Sequence, residues 1–217
     1  MDNKPQDVSF FGHPRGLATL FFTEMWERFS YYGMRAIFIL FMTKILLMKD
    51  ADASEIYGSY TGLVYLTPLL GGYLCDKFLG NRRSIVIGGL LMAIGQFFMF
   101  FSASVGANGG VSLMWMGLTA IIIGNGFFKP NISTMVGQLY PANDRRIDSA
   151  FTIFYMGINL GAFFSPLVCG SMDFKWGFLA AGVGMLIGLV AFVLGQKKYL
   201  VSEEGKSIGL PVKKLDV

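Results

Sequence analysis

Gly16–Met48 reads GLATLFFTEMWERFSYYGMRAIFILFMTKILLM. The stretch is long enough to cross a bilayer, which takes about 20 apolar residues. It nevertheless carries Glu24, Glu27, Arg28 and Arg35. An ionised residue at a helix centre costs roughly 2.5–3.5 kcal/mol on insertion scales, so four cost about 10–14 kcal/mol. The Leu, Ile and Phe residues from Leu17 to Phe41 return only about 3–6 kcal/mol. A helix of this sequence therefore does not sit alone in lipid, and its charges need a protein interior or a wet cavity and one another. Glu24, Glu27, Arg28, Tyr31, Tyr32 and Arg35 fall at i, i+3, i+4, i+7, i+8 and i+11, a single stripe on a helix. Phe22, Trp26, Ile37 and Phe38 occupy the other faces.

Outward from this segment the chain keeps the same solvent. Hydrophobic residues make up 53% of the 217, before 28 glycines are added, and charged residues only 15%. A soluble domain carries about 25% charged residues, so disorder and an ordinary soluble domain are both excluded. Six apolar segments are expected: Gly16–Met48, Glu55–Leu79, Ser84–Ser104, Ser112–Tyr140, Ser149–Gly170 and Gly177–Gln196. The breaks fall at Lys49–Ser54, Gly80–Arg83, Val105–Val111, Pro141–Asp148 and Ser171–Trp176. The expected organisation is a cytoplasmic segment over 1–15, a six-helix transmembrane bundle over 16–196, and a basic cytoplasmic tail or linker over 197–217. The polar start reads as no cleaved signal.

Twelve Lys and Arg lie on the side that holds both termini, against three at the other (Lys44, Lys49 and Lys175). This asymmetry places both termini in the cytoplasm. The net charge of +4 then reads as basic cytoplasmic loops, with lipid and not nucleic acid as the partner. Gly58 with Gly62, Gly157 with Gly161, and Gly184 with Gly188 repeat at the spacing that lets helix backbones approach. His13, the one histidine, reads as a solvated residue, and Cys75 and Cys169 fall near opposite faces and do not pair. There is no H-E-x-x-H, G-x-S-x-G or Walker A sequence, so no metal, cofactor or enzyme activity is expected.

Depth organises the remaining polar residues. The midpoints of the first, second, fourth and fifth segments fall near Tyr32, residue 67, residue 126 and Asn159. Arg28, Tyr31, Tyr32, Arg35, Tyr65, Lys129 and Asn159 thus lie near one level, where a secondary transporter keeps its substrate. Arg28, Arg35 and Lys129 offer positive charge to a carboxylate, and arginine can hold one bidentately. Glu24 and Glu27 are the candidates for proton exchange. Pro130 after Lys129 predicts a bend.

The stretch Glu24-Met-Trp-Glu27-Arg28-Phe29-Ser-Tyr31-Tyr32-Gly33 resembles the E-x-x-E-R-F-x-Y-Y signature of proton-dependent oligopeptide transporters, a branch of the major facilitator superfamily. Gly71-Gly-Tyr-Leu-Cys-Asp76-Lys77-Phe-Leu-Gly80 resembles that superfamily's loop between helices two and three. Phe128-Lys129-Pro130-Asn131 and Gly157-Ile158-Asn159-Leu160-Gly161 resemble patterns of helices four and five.

The resemblance implies an all-α membrane protein, the amino-terminal half of a major facilitator fold with a 3+3 inverted repeat. It implies uptake of di- and tripeptides with the proton as coupling ion. Glu24, Glu27 and Arg28 would couple proton and peptide. Arg28 and Lys129 would serve the peptide carboxylate, and Tyr31, Tyr32, Tyr65 and Asn159 would line the pocket. Arg35 would pair across to a carboxy-terminal six-helix half. Asp76, with Lys77, Arg82 and Arg83, would belong to the cytoplasmic loop and gate.

Some relatives carry a histidine where this chain has Gly58, so a proton route through it is closed. The family it resembles has twelve or more spans, so this six-span chain is not expected to transport alone. The implied location is a bacterial inner membrane. Two other readings share these residues: half of a transporter for nitrate or another small anion, or a six-helix membrane module without transport.

Overall fold

The computed structural model describes residues 8–202 and 205–211. A short antiparallel hairpin, β1 (Val8–Phe10) and β2 (His13–Pro14), precedes six helices. These are α1 (Arg15–Lys44), α2 (Asp50–Leu74), α3 (Asn81–Val105), α4 (Gly110–Gln138), α5 (Ile147–Cys169) and α6 (Phe174–Tyr199). By length and hydropathy, α3 to α6 qualify as membrane spans. The other two helices fall outside that measure for different reasons: α1 carries the charged stripe, while the uncharged part of α2, 57–74, is diluted by Gly, Tyr, Thr and Pro.

All six expected segments are helical, with shifts at the ends that have local causes. α2 starts at Asp50, five residues before the expected Glu55, because Asp50 and Asp52 in its first turn complement the positive end of the helix dipole. α2 runs into a π-helical turn over Cys75–Leu79, and Gly80, at φ 74°, ends it alone. α3 begins immediately after.

α4 passes through Pro130 without interruption. Pro130 has no N–H for the carbonyl of Gly126. That carbonyl instead lies against Gly71 of α2, where a Cβ would stand 2.0 Å from it. Gly157 and Gly161 likewise press α5 onto Phe21, Met25 and Phe29, and Gly184 and Gly188 press α6 onto Trp26, Phe29 and Thr23. Gly58 and Gly62 do not serve this purpose: both meet open space, because they lie on the face of α2 turned away from the bundle.

The helix pairings contain a hidden symmetry. α1 packs on α5 and α6, α4 packs on α2 and α3, and α3 packs on α6. Exchanging α1 with α4, α2 with α5 and α3 with α6 reproduces the same set of pairs. Helices one and four of an alternating chain run oppositely, so the two three-helix units form an inverted repeat. The apolar core has two parts. Leu17 and Leu20 of α1 enter one with Phe128 and Ile132, and Met34, Phe38 and Phe41 enter the other with Tyr60 and Phe178. The charged stretch of α1 falls between them.

The described residues on either side of the six helices are structured, while the rest of the expected leader and tail (1–7, 203–204 and 212–217) lies outside the described residues. Leu200 and Ile208 are buried, Val201 bridges to Ser207, and the Arg82 N–H donates to the Gly209 carbonyl at 3.0 Å. Phe11 and Gly12, both at positive φ, turn the hairpin, which docks Phe10 on Phe21.

His13 is not a solvated residue. It is 5% exposed, with Nδ1 2.8 Å from the Tyr140 hydroxyl and Nε2 3.4 Å from Ser149 Oγ. The hairpin lays it against the α4–α5 connection, a contact with no trace in local sequence. Burial, aided by Arg146, pushes its pKa below 6.5, while Asp144 opposes the shift. The unfolded chain therefore binds more protons in this range, so the stabilisation is complete above about pH 6.5 and is lost as pH falls below it. Amide exchange in residues 8–14 is expected to accelerate between pH 7 and pH 5.5, after correction for the intrinsic rate. His13→Gln is expected to abolish that acceleration, and an identical acceleration in the variant would refute the role of His13.

Candidate functional site

The charged stripe of α1 folds into a buried cluster. Arg28 Nε donates to Glu24 Oε1 at 2.8 Å and stands 2.5 Å from Glu27 Oε2. Glu24 and Arg28 are one helical turn apart, which allows the first contact. The second is an ion contact without hydrogen-bond geometry, since Glu27 Oε2 has no hydrogen-bond partner among the described residues.

The cluster is enclosed by its neighbours. Asn125 of α4 donates Nδ2 to Glu27 Oε1 at 3.4 Å, and Gly161 of α5 closes on Arg28 Cβ. Glu27 is 0% exposed, and Glu24 and Arg28 are nearly as buried. An open wall of charge running the length of α1 is thus not what forms. These three residues are covered within the six-helix bundle itself, as the insertion cost requires.

Arg28 has spare capacity. Its Nε takes both carboxylates, while Nη2 is buried with no hydrogen-bond partner among the described residues. A guanidinium with one edge engaged can present the other to an acceptor such as a carboxylate. Glu24 Oε2 is also without a hydrogen-bond partner.

Around this centre the aromatic and basic residues form an outward gradient. Tyr31 is buried, with the Arg28 and Arg35 guanidinium carbons each 5.4 Å from its ring centre. Tyr32 and Arg35 are half-buried. Arg35 donates Nε and Nη2 to the Tyr57 hydroxyl, at 3.0 and 2.6 Å. Half-buried Lys129 places Nζ 4.7 Å over the ring of Tyr65, which is 59% exposed. Lys129 makes no ion pair among the described residues, so its charge rests on a ring face. Cation–π contacts of this kind are worth about 0.5–2 kcal/mol.

Other expected site residues stand apart. Asn159 lies exposed on α5, on the stripe that carries Tyr155 and Phe163, and shows no hydrogen bond to the ion cluster among the described residues. Asp76 is exposed in the π-turn, and Lys77 Nζ donates to the Tyr73 hydroxyl at 3.3 Å. Arg82 turns away from both and donates Nη2 to the Leu200 carbonyl at 2.5 Å. Arg83 is exposed.

Two further partners complete these contacts, and the motifs do not point to either. Asn125 sits in an apolar-looking turn of α4, and Tyr57 lies in the part of α2 nearest its polar start. Helical phase offers a signal for Asn125, four residues before Lys129, but nothing in the sequence aims Tyr57 at Arg35.

A family model described as the POT family matches residues 82–215. Over 200 residues the chain is 44% identical to YclF, an uncharacterized transporter of Bacillus subtilis, covering 88% of this chain and 39% of that protein. It is 41% identical over 204 residues to a di-/tripeptide transporter of Lactococcus lactis subsp. cremoris, covering 89% and 40%. A crystal structure of a POT family transporter in complex with a thioalcohol-conjugated peptide matches with a TM-score of 0.86 at 40% identity, covering 98% of this chain and 44% of that one. The chain thus spans about two-fifths of the length of the curated relatives it matches.

Proposed function

The chain belongs to the POT family, and on that premise we propose that it forms the amino-terminal half of a proton-coupled di- and tripeptide symporter in a bacterial inner membrane. The observation that carries the reading is the buried Glu24–Arg28–Glu27 cluster, with Arg28 Nη2 unengaged and Lys129 on the same wall. A peptide carboxylate drawn to Arg28 or Lys129 competes with the glutamates for positive charge. Releasing a glutamate from Arg28 favours its taking a proton, which links cargo to proton. No cofactor is needed beyond the proton.

Tyr31, Tyr32 and Tyr65 supply flat walls for side chains of varied size, and Asn159 faces the same cavity once a carboxy-terminal six-helix half closes it. That second half would cover the exposed stripes of α2 and α5, which include Leu66, Leu69, Tyr155 and Phe163. Both termini are cytoplasmic by the charge asymmetry. Transport needs one bundle rocking against another, so the six helices alone do not pump.

The test uses a complete transporter carrying this half. Glu27→Gln keeps the side-chain shape and removes the titrating group. Proton-driven dipeptide uptake is expected to fall at least about tenfold, in the range of a lost proton-transfer group, while peptide counterflow persists. Equal loss of both activities would make Glu27 a binding or structural residue. Lys129→Ala is expected to weaken both, and counterflow of nitrate in place of dipeptide would overturn the choice of cargo.

A further inference from the structure

A groove of about 730 Å³ lies on the outside of the bundle between α1 and α6. Its α1 wall is the stripe Arg15, Ala18, Thr19, Phe22 and Trp26, and its α6 wall includes Ala191, Leu194 and Lys198. None of these residues belongs to the peptide site. The two cations stand at the same end, because α1 begins where α6 finishes. Below them the lining turns apolar and open, with Phe22 and Leu194 both exposed.

We propose that this groove binds one anionic phospholipid, with the phosphate at Arg15 and Lys198 and one acyl chain laid along Phe22, Leu194 and Trp26. Three features select that occupant. The first is charge: Lys198 is exposed at the water-facing end of the groove, and Arg15, engaged elsewhere as well, has more donors than one partner takes. A headgroup of net negative charge is thus favoured over a zwitterionic one, whose choline offsets its phosphate. The second is length. Arg15 to Trp26 is eleven residues, or about 16 Å along the axis at about 1.5 Å per residue, close to half of a hydrocarbon core about 30 Å thick. The third is shape, since Ala18 and Ala191 keep the floor low between the larger walls. A free phosphate would use only the mouth, and another protein helix would have to bring acids to this end. The inference rests on α1 and α6 crossing the bilayer and is independent of what the bundle transports.

The test is native mass spectrometry of the purified, delipidated chain, titrated with dioleoyl phosphatidylglycerol or with dioleoyl phosphatidylcholine, which has the same tails. Phosphatidylglycerol is expected to be retained on the order of tenfold better, given the pull of two basic residues on an acidic headgroup. The double variant Arg15→Gln/Lys198→Gln is expected to erase that preference. Ala191→Trp keeps both charges but fills the groove, and is expected to reduce retention of both lipids. Equal retention of the two lipids by the wild-type chain would overturn the proposal. So would a preference that survives the double variant, or full retention in Ala191→Trp, which would place the lipid on the general surface. Inorganic phosphate that raises the melting temperature as much as phosphatidylglycerol would assign the mouth to a free anion and refute a lipid site. The wild-type comparison and Ala191→Trp decide the matter even if the double variant does not fold.

Discussion

Arg28→Ala is expected to destabilise the chain by about 3–5 kcal/mol, the usual result of removing one partner of a buried ion pair. Two carboxylates would remain inside the bundle, Glu27 fully enclosed and Glu24 nearly so, with their shared cation gone. Lys129 does not substitute for it, since its ammonium sits over Tyr65 and lacks the fork of a guanidinium. Unfolding in mixed detergent measures the loss directly. Adding Glu24→Gln and Glu27→Gln to Arg28→Ala is expected to recover part of it, because uncharged amides cost less to bury than unpaired anions. The recovery, set against the effect of the same two Glu→Gln changes with Arg28 in place, gives the coupling energy of the cluster. Wild-type stability in Arg28→Ala would show that the three side chains do not depend on one another.

Glycine substitutions are expected to divide sharply according to tertiary position. A Cβ at Gly71 would stand 2.0 Å from the Gly126 carbonyl oxygen, and one at Gly161 would stand 2.2 Å from that of Met25. Both obstacles are backbone atoms of a neighbouring helix, so relief requires the helices to separate. Gly71→Val and Gly161→Val are each expected to cost upwards of about 3 kcal/mol, the high end of overpacking. In the case of Gly161 the separation would also uncover the ion cluster. Gly58→Ala and Gly62→Ala meet nothing within 4 Å. They are expected to be neutral or to gain about 0.5–1 kcal/mol from helix propensity. Melting temperatures of the four variants of this chain decide it, and comparable losses at all four positions would refute the packing described.

Among the polar residues around the membrane centre, four owe their legibility to cost. Glu24, Glu27, Arg28 and Arg35 are too expensive in lipid to be incidental, and the period of a helix alone sets them on one stripe. Gly58 and Gly62 show the opposite case. Their spacing is indistinguishable from that of Gly157 and Gly161, yet one pair faces open space and the other closes a helix contact. Spacing reports that two residues share a face and says nothing about which neighbour that face meets.

The fate of His13 follows from the same limit. A polar residue ahead of the first apolar segment reads as solvated, and only the hairpin turn at Phe11 and Gly12 carries it to Tyr140, 127 positions along the chain.

The sequence by itself determined six helices, the membrane as their solvent, and a set of charges that had to be buried together. These follow from hydropathy, segment length and the period of a helix, all of which act over a few turns of one chain. Tertiary structure alone decided that Glu24, Glu27 and Arg28 are sealed by α4 and α5 while Tyr65 and Asn159 stay open, and that Arg35 meets Tyr57. It also decided that Arg82 holds the segment after α6. Those outcomes depend on how helices distant in sequence pack, and packing is set by the joint shape of several faces that no single segment encodes.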